Sequence, residues 1–312
     1  MERFSRTPEE MKKNYEGALV NYGDEDPSKD GMIERDKVFP TAFITARCFA
    51  EQTDIPNAKE LYESFCAQMG FVKGENEPDQ IDTPHFMELR YLSTEKVIKE
   101  AVEKGEVKQV IELASGFTPH SVNLLGSVEG IKRYVENDLA VNLDVKKKVV
   151  NDFVGGIPVV FVPGNALSSE TWEKIDSTLI DGPVAIFCEG LMMYLSREQQ
   201  VEFFGNIKKV LKEKGGFFMH EDILKYHPEL KANPRLARVT NKLKTITSNS
   251  ALDESFTQEG ITQFYRSLGF VVERVPEDVS LSIASYPEHV REGAKELQEA
   301  GFKMWKLCLP KE

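Results

Sequence analysis

The sequence predicts an α/β protein whose sheet is mostly parallel, and three observations predict it. From residue 106 onward, short apolar runs of strand length alternate with longer amphipathic stretches, the sequence form of repeated βα units. Before that point helical spacing dominates, with no convincing strand alternation. At 312 residues, with 41% hydrophobic residues and 21 glycines, the chain has enough apolar material for a sizeable core.

Residues 1–105 read as a helical cap and N-terminal extension, with helices expected over 41–52, 58–69 and 84–104. Residues 106–312 read as a Rossmann-like core with a substrate-shaping insert at about 223–256. Seven strands are expected, at 107–113, 131–136, 158–162, 184–188, 216–220, 270–275 and 302–309. Helices are expected between them at 118–125, 139–153, 168–179, 196–212, 257–268 and 288–300. Thr118 followed by Pro119 has the form of a helix cap and first turn, and Ser196 with Gln199 that of a capping box. The lysine runs 146–148 and 208–214 read as solvated helix faces.

Composition excludes several classes. A formal charge of −12 and a pI near 5.1 oppose general attraction to phosphate backbones, so nucleic acid is not the expected partner. No apolar run approaches the roughly 20 residues of a membrane span, and the first residues have no signal-peptide pattern, so neither a membrane nor secretion is expected. Cys48, Cys66, Cys188 and Cys308 form no CxxC pair, which reads as reduced thiols in a cytoplasmic protein with no metal site.

Candidate chemistry gathers at strand ends, where open α/β sheets bind ligands. The first strand runs through Glu112 into Ala114-Ser115-Gly116, a tight turn of small residues that lets a ligand approach the backbone. Glu136 and Asp138 follow Gly116 by 20 and 22 residues, the distance at which an acid meets ribose hydroxyls, although Asp138 also suits a helix cap. Asn165 and Ala166 follow the third strand, where an adenine edge would lie. Glu189 leaves an apolar strand at the crevice and demands a partner there. Met192, Met193 and Tyr194 suit either a pocket wall or core filling. His220-Glu221-Asp222 ends the fifth strand, and His220 is the expected base because imidazole titrates near neutrality. His85 and His120 read as structural.

The string ELRYLSTEKVIKEAVEKGEVKQVIELASGFTPHSVNLL, followed by YVENDL and CEGLMMYLS, resembles the leucine carboxyl methyltransferase family, which includes protein phosphatase carboxyl methyltransferases and tetracenomycin-type polyketide O-methyltransferases. The resemblance covers about residues 84–215. It implies a class I S-adenosylmethionine-dependent fold with an antiparallel last strand beside the fifth. It also implies transfer of a methyl group to a carboxylate or hydroxyl of a small-molecule or peptide-like acceptor, with S-adenosylhomocysteine as product. By this resemblance Arg90 meets the cofactor carboxylate, Ala114, Ser115 and Gly116 form the glycine turn, and Asp138 is the ribose acid of an E-x-D motif. Asn165 and Ala166 lie at the adenine edge, Glu189 is the acid before an L-x-Y-L segment, and Tyr194 lies near the transferred methyl. The chain departs from the pattern at Ala114, at Phe117-Thr118-Pro119 and at Asn165. The missing GxGxxG disfavours a nicotinamide-dependent oxidoreductase, whereas a cofactor-binding regulator or inactive homologue stays open. Monomer and homodimer are equally open.

Overall fold

The computed structural model describes residues 35–69, 84–153, 159–221, 257–276 and 303–311. The expected insert at about 223–256 and the expected helix at 288–300 lie outside these residues. Three helices come first: α1 (Arg35–Gln52), α2 (Ala58–Met69) and α3 (Pro84–Glu103). Then follow β1 (Gln109–Leu113), α4 (His120–Ser127), β2 (Arg133–Asp138), α5 (Ala140–Phe153), β3 (Val159–Pro163) and α6 (Ser169–Thr178). The chain continues with β4 (Val184–Cys188), a short 3₁₀ turn (Met192–Tyr194), α7 (Arg197–Lys214), β5 (Gly216–His220), α8 (Gln258–Ser267), β6 (Val271–Pro276) and β7 (Lys303–Cys308). All seven expected strands form.

The sheet order is β3-β2-β1-β4-β5-β7-β6. The first five strands are mutually parallel, and β7 runs antiparallel between β5 and β6. This is the seven-stranded α/β architecture of class I methyltransferases. The strand order reverses at β1 and β4, so the crevice opens beside the ends of those strands.

Alternate side chains of each strand face opposite layers. Ile111, Leu113, Val184, Ile186, Cys188 and Phe218 join one core with Trp172 of α6, Phe203 and Phe204 of α7, and Tyr265 of α8. Val110, Ala185, Phe187, Phe217 and Met219 face Ile98, Ala101 and Val102 of α3. A third cluster joins Phe43 of α1 and Leu61, Tyr62 and Phe65 of α2 to Phe117, Val149 and Val150. The Phe43 and Phe65 rings lie 4.5 and 4.7 Å from that of Phe117, which follows the β1 turn directly. The N-terminal helices therefore pack against the segment that opens the crevice.

Two local expectations need correction. The helix after β1 starts at His120, with Pro119 in the cap position and no side-chain cap. Thr118 instead turns its hydroxyl to Glu112 Oε1 at 2.5 Å and to the Ser115 carbonyl at 3.1 Å. Lys146 is no solvated lysine: it is fully buried, with Nζ 2.7 Å from Glu136 Oε2. The Ser196 capping box forms as expected, the Ser196 hydroxyl accepting from Gln199 N and the Gln199 side chain from Ser196 N.

Candidate active site

The turn after β1 is set by backbone geometry. Ala114 and Gly116 both adopt the left-handed region, at φ 50° and 47°. Gly116 favours this conformation, while an alanine there costs about 1–2 kcal/mol. Ala114 thus keeps the shape of a glycine turn at a cost in strain. A Cβ on Gly116 would lie 3.5 Å from Ala42 Cβ, so α1 passes directly over the turn.

Beneath the turn, Glu112 and Glu136 occupy paired positions on β1 and β2, and both are buried. Tyr134 donates its hydroxyl to Glu112 Oε2 at 2.8 Å and Thr118 donates to the other oxygen. Burial pushes the Glu112 carboxyl up, against the pull of Lys146. Glu136 accepts from Ser115 Oγ at 3.1 Å and meets Lys146, which also donates to the Ser115 carbonyl at 3.1 Å. Two buried carboxyls on neighbouring strands are tolerable only with such a cation. Sequence reasoning missed Lys146, whose partners come together only through the fold. The structure places both glutamates as supports of the turn.

Asp138 ends β2 at the rim. Its Oδ2 accepts from Gly116 N at 2.6 Å, and its Oδ1 from Leu139 N at 2.6 Å and Asn142 Nδ2 at 2.7 Å. Burial raises its pKa while these donors oppose the rise. A carboxylate offers about four acceptor positions, so three donors leave room for one further hydroxyl. Asn165 turns its own Oδ1 back to Leu167 N at 3.0 Å, and the Ala166 carbonyl accepts from Trp172 Nε1 at 2.7 Å, which fixes the loop after β3.

On the far side of β1, Glu189 lies at the centre of a buried charge cluster. Arg90 Nε donates to its Oε2 at 2.9 Å and Thr94 Oγ1 to its Oε1 at 2.6 Å. His120 stands between two carboxylates, with Nε2 3.4 Å from Glu189 Oε1 and Nδ1 3.4 Å from Glu95 Oε1. These are ion-pair distances without aligned hydrogen bonds. Tyr91 stacks on the imidazole at 3.9 Å and 10°. Burial alone would lower the His120 pKa, but Glu189 and then Glu95 lift it to about 10. Burial would likewise raise Glu189, but Arg90, His120 and Thr94 hold it down at about 2. Near neutral pH the cluster therefore sets an imidazolium and a guanidinium against the Glu189 carboxylate. His120, expected to be structural, is a buried cation beside the site. Arg90, Tyr91, Thr94 and Glu95 follow i, i+4 spacing on α3, the local signal that could have marked this face.

Beyond Glu189 the chain enters the 3₁₀ turn. Met192 fills the core, and Tyr194 is buried with its pKa raised, first by burial and then by Glu221. His220 does not offer a free base. Alternation along β5 turns it onto the α7 and α8 face, where it is 1% exposed. There Nδ1 lies 2.7 Å from the Glu221 carbonyl, Nε2 lies 3.0 Å from Tyr265 Oη, and the Phe218 ring stacks on it. Its neighbour Glu221 is also buried, with Oε1 accepting from Gly190 N at 2.7 Å. The side chain of His85 lies outside those described.

A cation for a carboxylate, an anion for an ammonium, an acid at the β2 tip and a backbone turn between them suit an α-amino acid joined to a nucleoside. The family model for leucine carboxyl methyltransferase matches residues 38–208, more than half of the chain. No curated protein matches. Among solved structures, a candidate methyltransferase from Thermobifida fusca YX is 13% identical with a TM-score of 0.54, over 87% of this chain and 94% of that one. A DUF574 family protein from Streptomyces avermitilis MA-4680 is 12% identical with a TM-score of 0.53, over 86% of this chain and 97% of that one. At such identities these two structures speak for the fold alone. The chain belongs to the leucine carboxyl methyltransferase family, a family of S-adenosylmethionine-dependent methyltransferases.

Proposed function

We propose that this protein is an O-methyltransferase that uses S-adenosylmethionine to methylate a carboxylate or hydroxyl of a small-molecule or peptide-like acceptor, with polyketide metabolism as one setting. The observation that carries the reading is the Arg90–Glu189 pair at 2.9 Å, across the β1 turn from Asp138. Arg90 would take the carboxylate of the cofactor's amino-acid end, because guanidinium and carboxylate match in charge and geometry. Glu189, held ionised, would take the ammonium. Asp138 has an acceptor position left for a ribose hydroxyl, and Gly116 presents backbone without a side chain. Asn165 and Ala166 would border the adenine.

When bound, the cofactor supplies a methyl group on a positively charged sulfur, and transfer is an in-line displacement. The chain's own task is then alignment and exclusion of water. Ala42 of α1 over the turn and the buried Tyr194 serve that task. We further read the protein as cytoplasmic, acting as a monomer or homodimer without nucleic acid or membrane. No described helix is long and apolar enough to cross a membrane.

The test is calorimetric titration with S-adenosylmethionine and S-adenosylhomocysteine, with NAD and NADP as controls. Micromolar binding of the adenosyl compounds alone is expected. Glu189→Gln, which keeps the shape but removes the charge, should weaken it by about 1–3 kcal/mol. Absence of binding would overturn the reading; binding without turnover on any acid or phenol would favour a cofactor-binding regulator.

A further inference from the structure

The buried carboxyl of Glu221 has no part in the cofactor contacts proposed above. Cys188 and His220 pair in register at the ends of β4 and β5, so Glu189 and Glu221 leave the sheet as neighbours. Glu189 has Arg90, Thr94 and His120 for partners. Glu221, 3% exposed, has only backbone donors: Gly190 N holds Oε1 at 2.7 Å, its own N–H also acts on the carboxyl, and Oε2 meets no hydrogen-bond partner among the described residues. A buried carboxyl oxygen with no donor is costly. Glu88 Oε2 and Glu136 Oε1 share that state among the described residues, and Glu221 is the one of the three that leaves the sheet beside Glu189.

The surroundings favour a particular donor. Glu221 interacts with the charges of Arg90 and Glu189, and both the Tyr194 and the Cys188 side chains respond to it. It therefore stands where the amino-acid end of the cofactor would meet the 3₁₀ turn. An acceptor carboxylate would set a further anionic group against the Glu221 carboxyl, and it has no proton to give. A hydroxyl brings the missing donor.

We propose that Glu221 is the catalytic base of this enzyme and that its acceptor is a neutral hydroxyl, a phenol or alcohol, hydrogen-bonded to Glu221 Oε2. This rests on the reading of the site as a methyl-transfer centre. Glu221 takes the hydroxyl proton as the acceptor oxygen bonds to the methyl carbon. The carbon–sulfur bond breaks, its electron pair stays on sulfur, and the sulfonium becomes a neutral thioether. One positive and one negative charge are lost together, and Glu221 is left as a neutral acid that returns its proton to water. Burial first, then the nearby Glu189 carboxylate, lift the Glu221 pKa to about 7 against the pull of Arg90. That is the range in which a general base is efficient at neutral pH.

The experiment compares full-length wild type, Glu221→Gln and Glu221→Asp, with p-cresol and p-toluate as matched hydroxyl and carboxylate probes. Difference infrared spectra of the S-adenosylhomocysteine-loaded protein should show a carboxyl signal titrating near pH 7, absent from Glu221→Gln and shifted by p-cresol but not by p-toluate. Methylation of p-cresol should rise with pH through about 7 and fall at least roughly 10²-fold in Glu221→Gln, with cofactor binding kept within a few-fold. Glu221→Asp should retain part of that rate, separating the loss of a base from a loss of fold. Wild type that fails to bind S-adenosylhomocysteine would remove the methyltransferase reading and the base with it. Binding with no titrating signal, no response to p-cresol, turnover of p-toluate alone, or an undiminished Glu221→Gln would overturn the base and hydroxyl assignment while leaving the cofactor reading intact.

Discussion

His120 and Glu221 carry opposite pH signatures because their neighbours act on them in opposite senses. The folded pKa of His120 is raised to about 10 from an ordinary 6.5. Its contribution to stability is complete below about pH 6.5 and is lost as pH rises through 10. His120→Gln should therefore be less stable than wild type by the largest margin in mildly acidic solution, and denaturant titrations should show the gap narrowing steadily toward pH 10. A constant gap would mean that His120 is neutral. For Glu221 the folded pKa is raised to about 7 from 4.5, so folding holds a proton that the unfolded chain has released. Wild type loses stability as pH rises from 4.5 to 7, by as much as about 3 kcal/mol. Glu221→Gln escapes this loss and should gain on wild type by that order between pH 5 and 8. Neither signature was legible in the sequence, since a histidine at a helix start and a glutamate at a strand end acquire their charge states from Glu95, Glu189 and Arg90, which are distant in the chain. Glu189 stood out in the sequence because it leaves an apolar strand, where an acid demands a partner, and Asp138 because it follows Gly116 by 22 residues.

Elements differ in how far local sequence specifies their ends. The Ser196–Gln199 capping box is written within four residues and formed as read, and Ser196→Ala should cost about 1 kcal/mol in denaturant unfolding. Thr118 and Pro119 carry an equally good local signal, yet the Thr118 hydroxyl bonds to Glu112 instead, because a buried carboxylate outcompetes a helix end for a donor. Lys146 was misread for the same reason: its partner Glu136 lies on another element. At the start of β5 the constraint is steric. Gly216 has φ 101°, and a Cβ there would lie 2.0 Å from the Val184 carbonyl oxygen, against backbone that cannot step aside. Gly216→Ala must part β4 from β5, the two strands that deliver Glu189 and Glu221 side by side. The expected loss is about 3 kcal/mol or more, together with weaker cofactor binding. A variant of wild-type stability would show that the strands can shift without harm to the site.

Across the whole molecule, the alternation of strand-length apolar runs with amphipathic helices announced the sheet, since central strands such as β4 and β5 bury both faces and are apolar along most of their length. What the sequence could not convey is that α1 and α2, read as a cap, form one aromatic cluster with the segment that shapes the site. Phe43 is 1% exposed, its ring lies 4.5 Å from that of Phe117, and the adjacent Ala42 stands over Gly116. Aromatic contacts between helices and a turn leave no period or spacing in a chain, so tertiary packing alone discloses them. If this cluster couples the N-terminal helices to the core, Phe43→Ala should lower global stability by about 3–5 kcal/mol, the usual effect of emptying a buried aromatic site. It should also weaken S-adenosylhomocysteine binding, because the β1 turn loses the surface that packs against it. Hydrogen exchange gives the discriminating measurement. In a coupled molecule, ligand binding increases protection both at the turn, residues 113–118, and along α1, and Phe43→Ala removes the increase in α1. If α1 were an independent cap, Phe43→Ala would leave core unfolding unchanged and ligand protection would stop at the turn, which would sever the N-terminal helices from the site energetically although they touch it.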